Sequence, residues 1–207
     1  MTGRFIVLEG GEGAGKSTQL DRLAARLRDR GCDVVTTFEP GDTPLGAQIR
    51  AMTHHFDGPM DPRAEALLMA ADRAQHVATV VRPALTRGAV VISDRYIPSS
   101  IAYQGVARGL GVDAIAQLSA WATDDLEQDC VIVLDVDGGT VGTRIPAATD
   151  RLEAEGVMFH NAVRRAYLDL AAQHAWPVID GTADPDTVAD AVWTAVVASV
   201  PEWASER

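Results

Sequence analysis

Phe5-Ile6-Val7-Leu8-Glu9-Gly10-Gly11-Glu12-Gly13-Ala14-Gly15-Lys16-Ser17-Thr18 is an apolar run, a glycine-rich loop and the start of a helical pattern, in that order. The run is continuous rather than alternating, so it reads as a strand buried on both faces. Gly10 to Ser17 fits G-x-x-x-x-G-K-[ST] in the strand–loop–helix setting that this phosphate loop requires. Glycines let the backbone wrap an anion with its N–H groups pointing inward, and the helix start adds its dipole. Lys16 would reach the β- and γ-phosphates of a nucleotide, and the Ser17 hydroxyl would ligate Mg²⁺. A chance match in a chain of this length is on the order of one in a hundred. Lys16 is moreover the only lysine; every other residue in the Lys+Arg count is arginine. The loop implies a bound nucleoside triphosphate. It does not separate a kinase from a switch or a motor, although the single lysine rules out the N-K-x-D motif of a guanine-nucleotide switch.

Outward from this stretch, short apolar runs alternate with amphipathic segments. Residues 34–37, 89–92, 131–134 and 177–179 read as further strands. Leu20, Leu23, Ala24 and Leu27 share one helical face that Gly31 ends, and residues 62–85, 113–122, 151–173 and 185–198 read as helices. This alternation predicts an α/β fold of the P-loop type, a parallel five-stranded sheet between helices, in which ligands sit at the carboxyl ends of the strands. No repeat or linker divides the 207 residues, so a single domain over 1–207 is expected.

The net charge of −11 argues against general nucleic-acid binding, which depends on many cationic contacts to phosphate. A small anionic ligand remains compatible, because a local pocket can be positive on an acidic chain. Cys32 and Cys130 have neither metal nor redox spacing and read as free thiols in a reducing compartment. No apolar stretch is long enough to span a bilayer, and the expected location is cytoplasmic. His54-His55 reads as a solvated pair in a polar loop, and Asp124, Asp125, Glu127 and Asp129 as an exposed acidic turn.

The third strand leads into Asp94-Arg95-Tyr96, followed by Ile97-Pro98-Ser99-Ser100-Ile101-Ala102-Tyr103-Gln104-Gly105. Asp94 can assist Mg²⁺ or orient the loop lysine, and Arg95 can clamp a phosphate bidentately. Here the chain resembles the thymidylate kinase family over nearly its whole length. The segments that carry the likeness are EGGEGAGKST (9–18), EPGDTPLGAQIR (39–50), AADRAQHV (70–77), DRYIPSSIAYQG (94–105), LDVD (134–137), DRLE (150–153) and Phe159-His160. The resemblance implies transfer of the γ-phosphoryl group of ATP to dTMP with Mg²⁺, a lid over about 138–153, and a homodimer.

Carried over by position, Lys16, Arg95, Arg144, Glu9 and Asp94 would form the catalytic set. Gly10 to Thr18 (with Glu12 and Ala14 among them) and Arg151 would bind ATP. Arg95 would bridge the acceptor phosphate and the transferring group, and Arg50 would hold that phosphate from the other side. Arg73 would bond the thymine edge with help from Ser100 and Gln104, Tyr103 would pack near C2′, and Glu9 would lie near the sugar. Pro40 and Ser99 complete the acceptor set.

The chain departs from the family pattern at several positions. Phe38 stands where many bacterial members have Arg, and could pack on the thymine. Asp42 puts a carboxylate where Gly is common. Met69 replaces an aromatic base-stacker and reads equally as core. The phosphate loop carries no arginine, and Pro146 occupies an expected lid-arginine position. Arg144 is therefore the expected lid cation, with Arg151 supporting ATP. Other readings stay open at this point: a deoxynucleoside kinase with Glu9 as base or a kinase of another monophosphate, and a catalytically weak nucleotide-binding module.

Overall fold

The computed structural model describes residues 3–138, 140, 144, 150–200 and 203. One parallel sheet of five strands organises it, in the order β2-β3-β1-β4-β5. The strands are β1 (Arg4–Glu9), β2 (Val34–Phe38), β3 (Val90–Asp94), β4 (Cys130–Asp135) and β5 (Val178–Asp180). Each lies within two residues of its expected position. Helices among the described residues include α1 (Lys16–Asp29), α2 (Pro44–His55), α3 (Pro62–His76), α4 (Arg82–Thr86), α5 (Ile97–Ser100), α6 (Val112–Thr123), α7 (Val157–His174) and α8 (Pro185–Ser199). Wider π-helical turns, Val77–Val81 and Ile101–Ala107, continue α3 into α4 and extend α5.

Side chains alternate across a strand, and β1 uses both faces. Ile6 and Leu8 join Leu20, Leu23, Ala24 and Leu27 of α1 and Val188, Val192 and Val196 of α8 in one core. Phe5 and Val7 join Val77, Val81 and Tyr96 on the other side. Val133 meets Val163 and Tyr167 of α7 there as well. Burial on both sides explains why the strands read as continuous apolar runs. A fully buried Leu27 alone contributes about 2 kcal/mol of transfer free energy.

β1 lies between β3 and β4, with Leu8 opposite Asp94 and Glu9 opposite Val133. The phosphate loop leaves its end at Gly10, whose φ is 141°. A Cβ there would lie 2.3 Å from the Leu134 carbonyl, so only glycine permits the loop to turn this close to β4.

Three expectations are corrected. The segment read as a helix from residue 151 is turn until Gly156, and α7 begins at Val157. Residues 44–55, read partly as loop, form α2: Thr43 caps it by accepting from the Gly46 N–H at 2.8 Å, with Pro44 at the first helical position. Asp129 is more than part of an acidic turn, because it accepts from the Phe5 N–H at 2.8 Å and from Arg4 at 2.9 Å, tying β1 to the start of β4. Asp124 and Asp125 are exposed, as expected. Cys32 and Cys130 are both free thiols, Cys130 buried and Cys32 half-buried. No described helix is long and apolar enough to cross a membrane.

Candidate active site

The carboxyl ends of β1, β2 and β3 open into two connected clefts. The larger, about 870 Å³, lies over the phosphate loop and is lined by residues 12–18 together with Phe38, Asp42, Arg50, Asp94 and Arg95. The second is narrow, about 50 Å³, and is lined by Pro40, Met69, Asp72, Arg73, Ser100 and Gln104 among others. Glu12, Glu39 and Arg95 line both. Gly10 and Gly11 face a third cavity, between β4 and α7.

Lys16 is buried, and its Nζ donates to the carbonyls of Gly10 at 3.2 Å and Gly11 at 3.0 Å. Burial, and then the nearby Arg95 charge, lower its pKa. The Ser17 hydroxyl donates to Asp94 Oδ2 at 3.0 Å. Asp94 Oδ1 is buried with no hydrogen-bond partner among the described residues, 3.9 Å from Lys16 Nζ. A hydroxyl beside a carboxylate with an unspent oxygen is the hard-oxygen donor set that a phosphate-bound Mg²⁺ takes, so these residues fit that ion.

Arg95 sits at the junction of the clefts. Its φ of 77° is strained for a residue with a side chain, and such strain concentrates at functional sites. Nη1 donates to the Gly10 carbonyl at 3.2 Å, Ser99 Oγ at 3.2 Å and Tyr167 Oη at 3.1 Å, and Nη2 to Tyr103 Oη at 3.3 Å. Nη2 also forms an ion pair with Glu12. Burial of Glu12 would raise its pKa, but Arg95 and Lys16 outweigh that and hold it at about 2. Burial raises the Tyr103 and Tyr167 hydroxyls well above their usual value, so both remain neutral donors.

Glu9 is 0% exposed and lines neither cleft. It accepts from the Tyr96 N–H at 2.9 Å, the Ser99 N–H at 3.3 Å and Ser99 Oγ at 2.7 Å. Burial dominates and raises its pKa, although Ser99 and Arg95 oppose this. Glu9 thereby anchors the start of α5, which places Ser99 and Ser100.

In the narrow cleft Arg73 is 3% exposed. It donates to Glu39 Oε2 at 2.8 Å, Ser100 Oγ at 2.9 Å, Ser119 Oγ at 3.3 Å and the Tyr96 carbonyl at 3.0 Å. Glu39 also bonds His76 Nδ1 at 2.7 Å, and His76 Nε2 lies 2.5 Å from Thr37 Oγ1. Thr37 in turn donates to Asp42 Oδ2 at 2.5 Å, which draws that carboxylate towards β2. Glu39 and His76 were not among the expected site residues. The available signal was the place of Glu39, a carboxylate directly after a strand.

Several expected residues are placed differently. Arg151, expected at ATP, lines neither cleft; its Nε donates to the Thr53 carbonyl at 3.0 Å and its Nη2 to Glu65. Phe38 is 41% exposed in the phosphate-loop cleft, with the Arg50 guanidinium 6.0 Å from its ring, and is not brought to Met69. Arg50 donates to the Pro40 carbonyl at 2.9 Å. Met69 belongs to the buried residues and to the narrow cleft alike. His54 is buried rather than solvated; it bonds Thr53 Oγ1 at 2.9 Å and lines the narrow cleft. Arg144 donates to the carbonyls of Gly13 at 2.9 Å and Gly181 at 2.8 Å. Pro146 lies outside the described residues.

A phosphate loop and two clefts that share Arg95, at the carboxyl ends of the strands, agree with comparisons to known proteins. The family model described as thymidylate kinase matches residues 8–192. A thymidylate kinase of Clavibacter michiganensis subsp. michiganensis is 49% identical, covering 99% of this chain and 100% of its own length. One of Bifidobacterium longum (strain DJO10A) is 47% identical, with 99% and 100% covered. The crystal structure of thymidylate kinase from Ehrlichia chaffeensis superposes with a TM-score of 0.72 at 30% identity, covering 87% of this chain and 93% of that one. With the likeness running through sequence, fold and phosphate loop alike, the chain belongs to the thymidylate kinase family.

Proposed function

We propose that the chain phosphorylates dTMP with ATP, giving dTDP and ADP. The observation that carries this reading is that Arg95 and Glu12 line both clefts, so a donor and an acceptor phosphate would meet at one guanidinium. An oxygen of the acceptor phosphate attacks the γ-phosphorus in line, and the bond from that phosphorus to the β–γ bridging oxygen breaks. The attacking oxygen is already ionised, so no base is needed. Catalysis then rests on alignment and on cations that spread the developing charge. Lys16 and the loop N–H groups hold the donor phosphates, Arg95 spans both partners, and Arg50 supports the acceptor phosphate. Mg²⁺, held by Ser17 and Asp94, would neutralise charge on the β- and γ-oxygens. In the narrow cleft Arg73, Ser100 and Gln104 would read the base, with Met69 against its face. Tyr103 would close the space beside C2′ to a ribose hydroxyl.

The same reading takes the chain as one domain with a lid over 138–153, acting as a cytoplasmic homodimer. Sedimentation at micromolar concentration tests the dimer, and a monomer there would refute it. The function itself is tested by ADP release with ATP and Mg²⁺, comparing dTMP, dUMP, thymidine, dCMP and no acceptor. Turnover should be greatest with dTMP and lost in Lys16→Ala. ATP binding without acceptor-dependent turnover would instead favour a nucleotide-binding module.

A further inference from the structure

Glu65 lies in the first turn of α3, is 0% exposed and lines neither cleft. Four donors converge on it. Gln104 Nε2 bonds Oε1 at 2.9 Å, Arg108 Nε bonds Oε1 at 3.3 Å and Arg108 Nη2 bonds Oε2 at 3.2 Å, and Arg151 Nη2 also bonds Oε2. Burial alone would push the carboxyl up; the bonds from Gln104, Arg151 and Arg108 overcome it and hold the pKa below the ordinary value. Glu65 is therefore an ionised, acceptor-only group.

That fixes the amide of Gln104. Its NH₂ must face Glu65, so its carbonyl oxygen points the other way along the amide plane. Gln104 forms part of the narrow cleft, and no described residue donates to Oε1. Arg73 lines the same cleft and is a donor only, with four of its five N–H groups engaged. The wall thus sets donors, Arg73 and the Ser100 hydroxyl that accepts from it, beside one amide acceptor, Gln104 Oε1. Thymine and uracil carry O4 next to N3–H, which complements that pair. Cytosine carries an amino group next to an unprotonated N3, which sets donor against donor and acceptor against acceptor. An unanchored glutamine would turn its amide over and satisfy cytosine N3.

We infer that Glu65, without touching substrate, is the positioning residue that makes the acceptor cleft select 4-oxo over 4-amino pyrimidine monophosphates, by locking the Gln104 amide with its oxygen towards the base. The inference rests on the acceptor assignment proposed above.

The test is Glu65→Gln in the full chain, with kcat/KM measured for dTMP, dUMP and dCMP. A glutamine at 65 can donate or accept, so it releases the lock while keeping the shape. The dTMP-to-dCMP ratio should fall roughly 10-fold to 100-fold, the scale of one buried polar mismatch. The dTMP-to-dUMP ratio and the KM for ATP should stay unchanged, since both pyrimidines share the imide edge. An equal loss on all three acceptors would overturn the inference and leave Glu65 a purely structural residue. Should Glu65→Gln fail to fold, Gln104→Met carries the test: it removes the acceptor oxygen, so dTMP should lose rate while dCMP does not, and an unmoved ratio would overturn the idea. Wild-type turnover on dTMP is measured first; its absence would refute the functional reading, whereas its presence with an unmoved ratio refutes this inference alone.

Discussion

Arg144 donates from Nη1 to the carbonyl of Gly13 at 2.9 Å, which puts a guanidinium from the proposed lid on the rim of the phosphate loop. The loop residues Gly11 to Ala14 include no arginine. We propose that Arg144 supplies the finger cation that the family resemblance implies for the transferring group. Arg144→Ala should lower kcat by about a thousand-fold or more and leave dTMP binding nearly intact. Steady-state kinetics with both substrates varied checks this, and an unchanged kcat would move the role elsewhere.

Glu39 is enclosed by Arg73 and His76. Burial would raise its pKa, yet the Arg73 charge and the His76 bond lower it overall. Glu39→Ala would strand a buried guanidinium, so we expect a loss of about 3–5 kcal/mol in urea unfolding. Glu39→Gln, which keeps acceptor capacity, should lose less. Equal losses for the two would show that the carboxylate charge alone, and neither volume nor acceptor capacity, matters there.

Asp72 behaves in the opposite sense. Its Oδ1 accepts from the Gly41 N–H at 3.1 Å, while Oδ2 is buried with no hydrogen-bond partner among the described residues. Burial, reinforced by the Glu39 charge, raises its pKa from 3.8 to about 6. The folded state therefore holds this proton more tightly than the unfolded chain, and stability falls as pH rises from about 4 to about 6. Above that window the penalty is complete. Asp72→Asn should add about 1–2 kcal/mol at pH 7.5 and almost nothing at pH 4. Thermal melts at the two pH values decide it; the same gain at both would contradict the ionisation argument.

Gly46 lies inside α2, where alanine would ordinarily stabilise by about 1 kcal/mol. Here a Cβ would stand 2.4 Å from Asp72 Oδ1 and 2.9 Å from Thr43 Oγ1. Both the Gly41–Asp72 bond and the helix cap would have to yield. Gly46→Ala should therefore destabilise, by about 1–3 kcal/mol. A higher melting temperature would mean that the two side chains move aside freely.

The strands and the phosphate loop were legible because their signals are local. An apolar run such as Val131 to Leu134 or the spacing of Gly10, Gly15 and Lys16 needs no distant partner to be read. α2 was missed because its apolar residues are sparse and Leu45 and Met52 are largely exposed; its cap, Thr43 with Pro44, was the usable clue. The roles of Arg151 and His54 depended on residues far along the chain. Arg151 was read by its nearness to the lid, yet Glu65, which claims it, lies 86 positions away. Glu9 is assigned by resemblance, and its bonds to Tyr96 and Ser99, 87 and 90 positions away, are invisible in its neighbouring residues. Sequence shows which side chains carry charge; only tertiary packing shows which of them are already spent.

The central place of β1 has a consequence for how the chain can change length. Ser17 meets Asp94 at 3.0 Å because Leu8 and Asp94 stand side by side in adjacent strands. A residue inserted within β3 would shift that carboxylate by about 3.3 Å and turn every following side chain to the opposite face. No rotamer change recovers such a step. Insertions and deletions inside β1 or β3 should thus abolish the site outright, whereas the same changes in the turns at the opposite ends of these strands leave it standing.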